Sequence, residues 1–240
     1  MLEVLVATAA PRPAASLAQW LHPDEPDRPH RPMTPIDRDR SLTGRALLRT
    51  LVARATGRPA EGIAFERNCP VCGGTDHGRP RVVGDAATFT SVAHAGDVVV
   101  AAVARAPLGV DVERVDAARF GGFDAVALTP LEGAQLAALG PGARPGARAA
   151  LWVRKEALLK RHELGLTRDP RSVGIGLGEP ARVLDDPVAP GERVALVDLA
   201  VAAGYRAALA VRAVETPFVT MLDPLTPWAA TAPPGGRASG

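Results

Sequence analysis

Between residues 88 and 115 three β-prone runs follow one another with almost no chain between them: TFTSVAH (88–94), DVVVAAVA (97–104) and LGVDVERV (108–115). The links AG and RAP are too short for the crossover that parallel pairing requires, so an antiparallel meander is expected. Any fold open to this chain has to be built around that sheet. Aromatic residues make up only 4% of the sequence against 47% hydrophobic residues, so the core must be assembled mainly from Ala, Val and Leu.

The flanking sequence supplies helices and further strands. A first strand is expected over about 3–8, followed by LHPDEPDRPHRPMTP, where the prolines impose irregular backbone. A helix begins near Asp37, with Leu42, Leu47, Leu48, Leu51 and Val52 at helical spacing, and Gly57 ends it. The loop-rich EGIAFERNCPVCGGTDHGRPRV holds a short strand near 62–66. Residues 118–138 read as helix with weak breaks, GPGARPG (140–146) as a flexible loop, and 147–163 as a second long helix ending before Gly165. Strands near 192–200 and 205–213 follow. The tail from Glu215 onward is rich in Pro, Thr and Gly, and its last ten residues are expected to be disordered.

The order strand–helix–strands thus occurs twice, although no fixed-period repeat is present. The expected class is α+β, as two similar α/β subdomains related by pseudo-twofold symmetry. These are an N-terminal half at 1–106 and a C-terminal half at 107–214, before a partly disordered tail at 215–240. A ligand site would sit where the halves meet.

Charge and cysteine usage narrow the function classes. A net charge of +2 is far from the concentrated basic surface of a nucleic-acid binder, so no nucleic acid is expected as a partner. No apolar run reaches the roughly 18–20 residues of a membrane span. MLEVLVATAAP lacks the basic start of a secretion signal and reads as a strand. A cytoplasmic protein with no membrane partner is expected. In a reducing cytosol the CPVC pair, Cys69 and Cys72, reads as free thiols in preference to a disulfide. A zinc site at Cys69, Cys72 and His77 would lack an obvious fourth ligand.

Four short stretches can carry chemistry. In LGVDVER, alternation puts Val110 and Val112 on one strand face and Asp111 and Glu113 on the other. Two carboxylates so placed repel unless a cation, a proton or solvent compensates, and oxygen ligands of this kind suit Mg²⁺. Taken alone, the pair reads more readily as a solvated strand edge. WVRKEALLK holds the only two lysines of the chain, Lys155 and Lys160. Trp152, Glu156, Leu159 and Lys160 share a helix face, where Glu156 and Lys160 could be a plain surface ion pair. SVAHAGD places His94 at a strand end, where a structural role is the commoner one. HGRP is a turn in which Gly78 admits close approach, Arg79 offers a fork of donors and Pro80 fixes the exit.

The order RDRSLTGRALLR, HGRP, SVAHAGD, GVDVERV, WVRKEALLK resembles the 4′-phosphopantetheinyl transferases, specifically their Sfp-type, pseudodimeric branch. The two strongest signatures fall on Gly109–Glu113 and Trp152–Lys160, and the resemblance runs from about residue 20 to 213. It implies the transferase fold and a holo-carrier-protein synthase activity: transfer of the phosphopantetheine arm of coenzyme A to a serine of an acyl- or peptidyl-carrier protein. By the same resemblance Asp111, Glu113 and Glu156 hold Mg²⁺, Glu156 is the candidate general base, and Lys160 contacts the coenzyme phosphates. Coenzyme contacts are further implied for Arg28, Arg40, Ser41, Gly78, Arg79, Pro80 and His94. Lys155 is expected to form a supporting ion pair.

The chain departs from the family pattern at Ala93, where a serine is usual, at Glu25, where a basic residue is expected, and at Glu163, often glycine. These departures leave room for a non-catalytic module that binds carrier proteins or coenzyme A. The length and two-half organisation imply a monomer serving polyketide or nonribosomal peptide synthases.

Overall fold

The structure, a computed structural model, describes residues 1–21, 33–75, 77–119 and 121–222. Strand β1 (Glu3–Ala9) leads through a single helical turn, α1 (Ala14–Leu17), to the long helix α2 (Pro35–Thr56). Thr34 caps α2 by accepting from the Asp37 amide, and Gly57 closes it in the left-handed conformation at φ 71°. Strands β2 (Phe65–Arg67), β3 (Pro80–Val82), β4 (Phe89–Ala95), β5 (Val98–Ala104) and β6 (Leu108–Arg114) follow. Next come α3 (Phe123–Ala127), α4 (Pro130–Ala137) and the second long helix α5 (Arg144–Arg161). The chain continues with β7 (Gly174–Gly176), β8 (Arg182–Asp185), β9 (Val194–Leu199), β10 (Tyr205–Arg212) and β11 (Phe218–Leu222). No helix among the described residues is long and apolar enough to cross a membrane.

The chain is α+β, with two main sheets ordered β11-β1-β5-β4 and β6-β10-β9. Alternation along the strands sorts the core into three layers. One face of the first sheet, through Leu5, Val99, Ala101 and Val103, packs on Leu47, Leu48, Leu51 and Val52 of α2. Its other face, through Val4, Val6, Val100 and Ala102, packs on Val110, Val112, Leu209 and Val211 of the second sheet. The far side of the second sheet, through Leu196, Ala208 and Ala210, packs on Leu151, Ala157 and Leu158 of α5. The result is a stack of helix, sheet, sheet and helix.

This stacking corrects the expected meander. β4 and β5 form the anticipated hairpin, paired from Phe89↔Ala104 to Ala95↔Val98. β6 does not extend it; it joins β10 in the second sheet, from Tyr205↔Arg114 to Val211↔Leu108. The reason lies in β5, whose seven residues are all buried. A sheet apolar on both faces needs a cover on each, and folding β6 and β10 over the face opposite α2 supplies it.

Other boundaries differ locally. The helix expected over 118–138 is broken at Thr129, which caps α4 through a reciprocal capping box with Glu132 and is followed by Pro130. α5 starts at Arg144, inside the expected loop, with Pro145 in its first turn. The hairpin β7–β8 had no counterpart in the sequence reading. Past Glu215 the chain adds a strand that had not been expected: β11 pairs in parallel with β1, from Glu3↔Phe218 to Ala7↔Leu222. The segment expected to be irregular at 22–32 and the last ten residues lie outside the described residues.

Candidate active site

β6 crosses α5 at contact distance, and glycine makes this possible. A Cβ added to Gly109 would lie 2.1 Å from the Ala157 carbonyl oxygen and 2.4 Å from the Arg161 amide nitrogen. Two residues on, Asp111 is only 7% exposed, which removes the solvated-edge reading of this strand. Lys160 reaches from the helix to the strand, with Nζ 2.6 Å from Asp111 Oδ1. Burial pushes the Asp111 carboxyl above its usual range, while the Lys160 ammonium opposes the shift.

Glu156, one helical turn before Lys160, is 5% exposed. Its Oε1 is buried without a hydrogen-bond partner. Burial first, and the neighbouring Asp111 charge second, raise its pKa to about 7 against the pull of Lys160. Glu113 is half-buried and also raised, by burial and by Asp111, while the Arg114 amide donates to its Oε1 at 2.7 Å and opposes the rise.

Like charges crowd here, and an orphaned carboxylate oxygen faces them. That donor set fits a hard divalent cation, which accepts several carboxylate oxygens together with waters. The three carboxylates are nevertheless not drawn together as tightly as Cys69, Cys72 and His77, whose ligating atoms all lie within 4.8 Å of one another. Glu113 is turned onto the next amide of its own strand, and Asp111 is engaged by Lys160.

Basic side chains approach from the first sheet and α2. His94 is the penultimate residue of β4, opposite Val99 and exposed, near the hairpin turn. Loss of solvent on its protein-facing side, then the charges of Arg40 and Lys160, hold its imidazole below the usual range, with Asp37 opposing. Arg40 donates from Nε to the Gly96 carbonyl at 2.8 Å and from Nη1 to Asp37 Oδ1 at 2.7 Å. Ser41 follows it on α2, half-buried. Arg28 and Glu25 lie outside the described residues.

The HGRP turn borders a cavity of about 350 Å³, whose lining includes Gly78, Arg79, Pro80, Ser91, Lys160 and Glu163. Gly78 has φ 94°, and a Cβ there would meet the Cys69 backbone at 3.2 Å, so both conformation and space call for glycine. Arg79 is stacked over Phe89, 5.1 Å from the ring centroid, with Nη1 buried and unpartnered. Its Nη2, and that of Arg81, both bind the Glu163 carboxylate. Glu163 is the residue after the α5 cap and has φ 63°, the left-handed position that ends helices and favours glycine. Sequence reading recorded Glu163 only as a departure; its partners on β3 and the preceding turn were not legible.

Lys155, by contrast, points away from the carboxylates. It is fully buried and bonded to Glu132 Oε2 at 2.6 Å, Pro170 O at 3.0 Å and Val173 O at 2.9 Å. Those three acceptors match the three ammonium protons. Glu132 itself receives the Ile175 amide on Oε1 at 2.8 Å and the Thr129 amide on Oε2 at 2.7 Å. Lys155 therefore ties α5 to α4 and to the start of β7. Glu132 was missed by sequence reading, although TPLE, residues 129–132, carries the capping-box signal. Trp152 makes an edge contact with Phe123 at 5.5 Å between ring centroids.

Comparison with known proteins bears on this arrangement. Residues 107–207, which contain β6, α5 and both signature stretches, match the family model of the 4′-phosphopantetheinyl transferase superfamily. The chain is also 28% identical over 153 residues to a 4′-phosphopantetheinyl transferase of Bacillus subtilis. That match covers 61% of this chain and spans 62% of the relative's length. Residues 107–207 thus form a domain of the 4′-phosphopantetheinyl transferase superfamily.

Proposed function

We propose that this protein moves the 4′-phosphopantetheine arm of coenzyme A onto a serine hydroxyl of an acyl- or peptidyl-carrier protein, dependent on Mg²⁺. The observation that carries this reading is the buried Glu156, raised to about 7 and lacking a partner on Oε1, beside the Asp111–Lys160 pair. A carboxylate kept basic and unsatisfied in this way is suited to accept a proton or to ligate a cation.

Asp111, Glu113 and Glu156 would hold the Mg²⁺, which when bound supplies charge neutralisation on the coenzyme pyrophosphate. The remaining work falls to side chains of this chain. Lys160, a compact ammonium now paired with Asp111, would contact a coenzyme phosphate oxygen. His94, Arg40 and Ser41 take the outer phosphates, with Arg28 upstream. Gly78, Arg79 and Pro80 border the cavity that receives the adenine end.

Glu156 removes the proton from the carrier serine, directly or through water. The serine oxygen forms a bond to the phosphorus of the phosphopantetheine arm, and the bond from that phosphorus to the bridging oxygen breaks. Adenosine 3′,5′-bisphosphate leaves with the electron pair. Polyketide or nonribosomal peptide carriers, a monomeric state and a cytoplasmic setting complete the proposal.

Its test is incubation with coenzyme A, Mg²⁺ and a panel of apo-carriers, read by intact mass. A gain of one phosphopantetheine supports the reading. Coenzyme binding with no transfer to any carrier would instead favour a non-catalytic binding module.

A further inference from the structure

We propose that Cys69, Cys72 and His77 form a binding site for zinc, which fastens the loop between β2 and β3 and thereby fixes the HGRP turn. The ligating atoms of the trio lie within 4.8 Å of one another, and Cys72 Sγ is 3.2 Å from His77 Nε2. Two thiolates and an imidazole at this spacing are a donor set for borderline-soft, tetrahedral cations.

The backbone is already shaped for such an ion. The Cys69 amide donates to Gly74 O at 2.8 Å, the Gly73 amide returns to Cys69 O at 2.8 Å, and the Gly74 amide donates to Cys72 Sγ at 3.4 Å. Gly73 sits at φ 72°, which only glycine takes without strain, so the chain curls around the two sulphurs. Amide hydrogens aimed at sulphur favour thiolate and hence metal ligation.

Apolar packing does not hold this loop in place. Val71 is 55% exposed, and Pro70, Cys72 and Gly73 are exposed as well. Ordering such a segment costs backbone entropy, which a metal cross-link can offset. The cross-link also has a target. His77 immediately precedes Gly78, whose backbone lies directly over Cys69, and all three ligands line the same cavity as Arg79 and Lys160. Among the described residues no fourth His, Cys, Asp or Glu joins the trio. The site stands independently of what the cavity binds.

The experiment uses the full chain without a histidine tag, purified under reducing conditions, with zinc measured by plasma mass spectrometry. The expected result is one zinc per chain. Cobalt(II) exchanged into the protein should show thiolate charge-transfer absorption and the intense visible bands of tetrahedral ligation. Cys69→Ser and Cys72→Ser should each weaken metal binding at least tenfold and remove one thiolate's share of that absorption. His77→Ala should weaken binding while leaving the thiolate bands. Stripping the metal should speed tryptic cleavage after Arg67, with circular dichroism of the rest unchanged. Wild-type protein that neither holds zinc nor develops cobalt–thiolate bands overturns the proposal. So does equal binding by the double serine variant, or alkylation showing Cys69 and Cys72 joined as a disulfide in freshly isolated protein.

Discussion

Replacing Lys155 by methionine should damage the fold far more than its place beside Glu156 suggests. The ammonium and the Glu132 carboxylate are both 0% exposed and 2.6 Å apart. Burial alone pulls the lysine's pKa down, and Glu132 is the main group holding the charge in place. Methionine keeps much of the stem's volume, so packing is largely preserved. What it removes is the countercharge of Glu132 and the donors to Pro170 O and Val173 O. Leaving one partner of a buried ion pair uncompensated costs about 3–5 kcal/mol, against a total stability on the order of 5–15 kcal/mol.

Urea unfolding of Lys155→Met, Glu132→Gln and the double variant measures this directly. The double variant should be clearly less destabilised than the sum of the singles, because it no longer buries a lone charge. Lys155→Arg should also lose stability, since a planar guanidinium cannot replace an ammonium among three converging acceptors. A loss below about 1 kcal/mol for Lys155→Met, with additive singles, would refute the assigned role.

Three further outcomes are expected. Gly109→Ala forces apart β6 and α5 where a Cβ would stand 2.1 Å from Ala157 O, and should cost about 1–3 kcal/mol by denaturant unfolding; wild-type stability would contradict the close approach. Glu163→Gly relieves a left-handed position worth about 1–2 kcal/mol while removing the pairing to Arg79 and Arg81. Its stability should stay near wild type, and its affinity for coenzyme A, measured by calorimetry, should rise as Arg79 is released; weaker binding would show that the carboxylate helps rather than competes. In metal-free protein the raised Glu156 favours the protonated fold, so its contribution is complete below pH 4.5 and is lost as pH rises through about 7. The stability difference between wild type and Glu156→Gln, followed by thermal melts in chelator, should therefore grow in the variant's favour from pH 5 to pH 8; a flat difference would contradict the burial of that carboxylate.

What the sequence revealed followed from local periodicity. β5 could be read because its apolar residues are contiguous, β4 and β6 because β-prone residues recur between short turns, and α2 because its leucines repeat on one face before Gly57. The destination of β6 could not be read, because pairing with β10 about a hundred residues later leaves no local trace. β11 was hidden for the same reason, its partner being β1 at the other end of the chain.

The carboxylates and lysines of the candidate site were found by residue type and spacing, but their partners were not. Glu156 and Lys160 at i and i+4 suggest a surface pair, whereas the close approach at Gly109 brings Lys160 onto Asp111. Lys155 could be seen only as a neighbour, since Glu132, Pro170 and Val173 meet it through tertiary packing. Glu163 showed as an unusual residue at a glycine position, and only the fold connects it to two arginines.

We propose that the carboxylates of β6 and α5 serve phosphopantetheine transfer. The measurement that tests it most directly is the intact mass of an accepted apo-carrier after reaction with coenzyme A. Wild-type protein with Mg²⁺ should add one phosphopantetheine per carrier, and wild type in chelator, Asp111→Ala and Glu156→Gln should each add none within the same time while remaining folded. Modification at the wild-type rate by Glu156→Gln, or by wild type in chelator, would contradict the account.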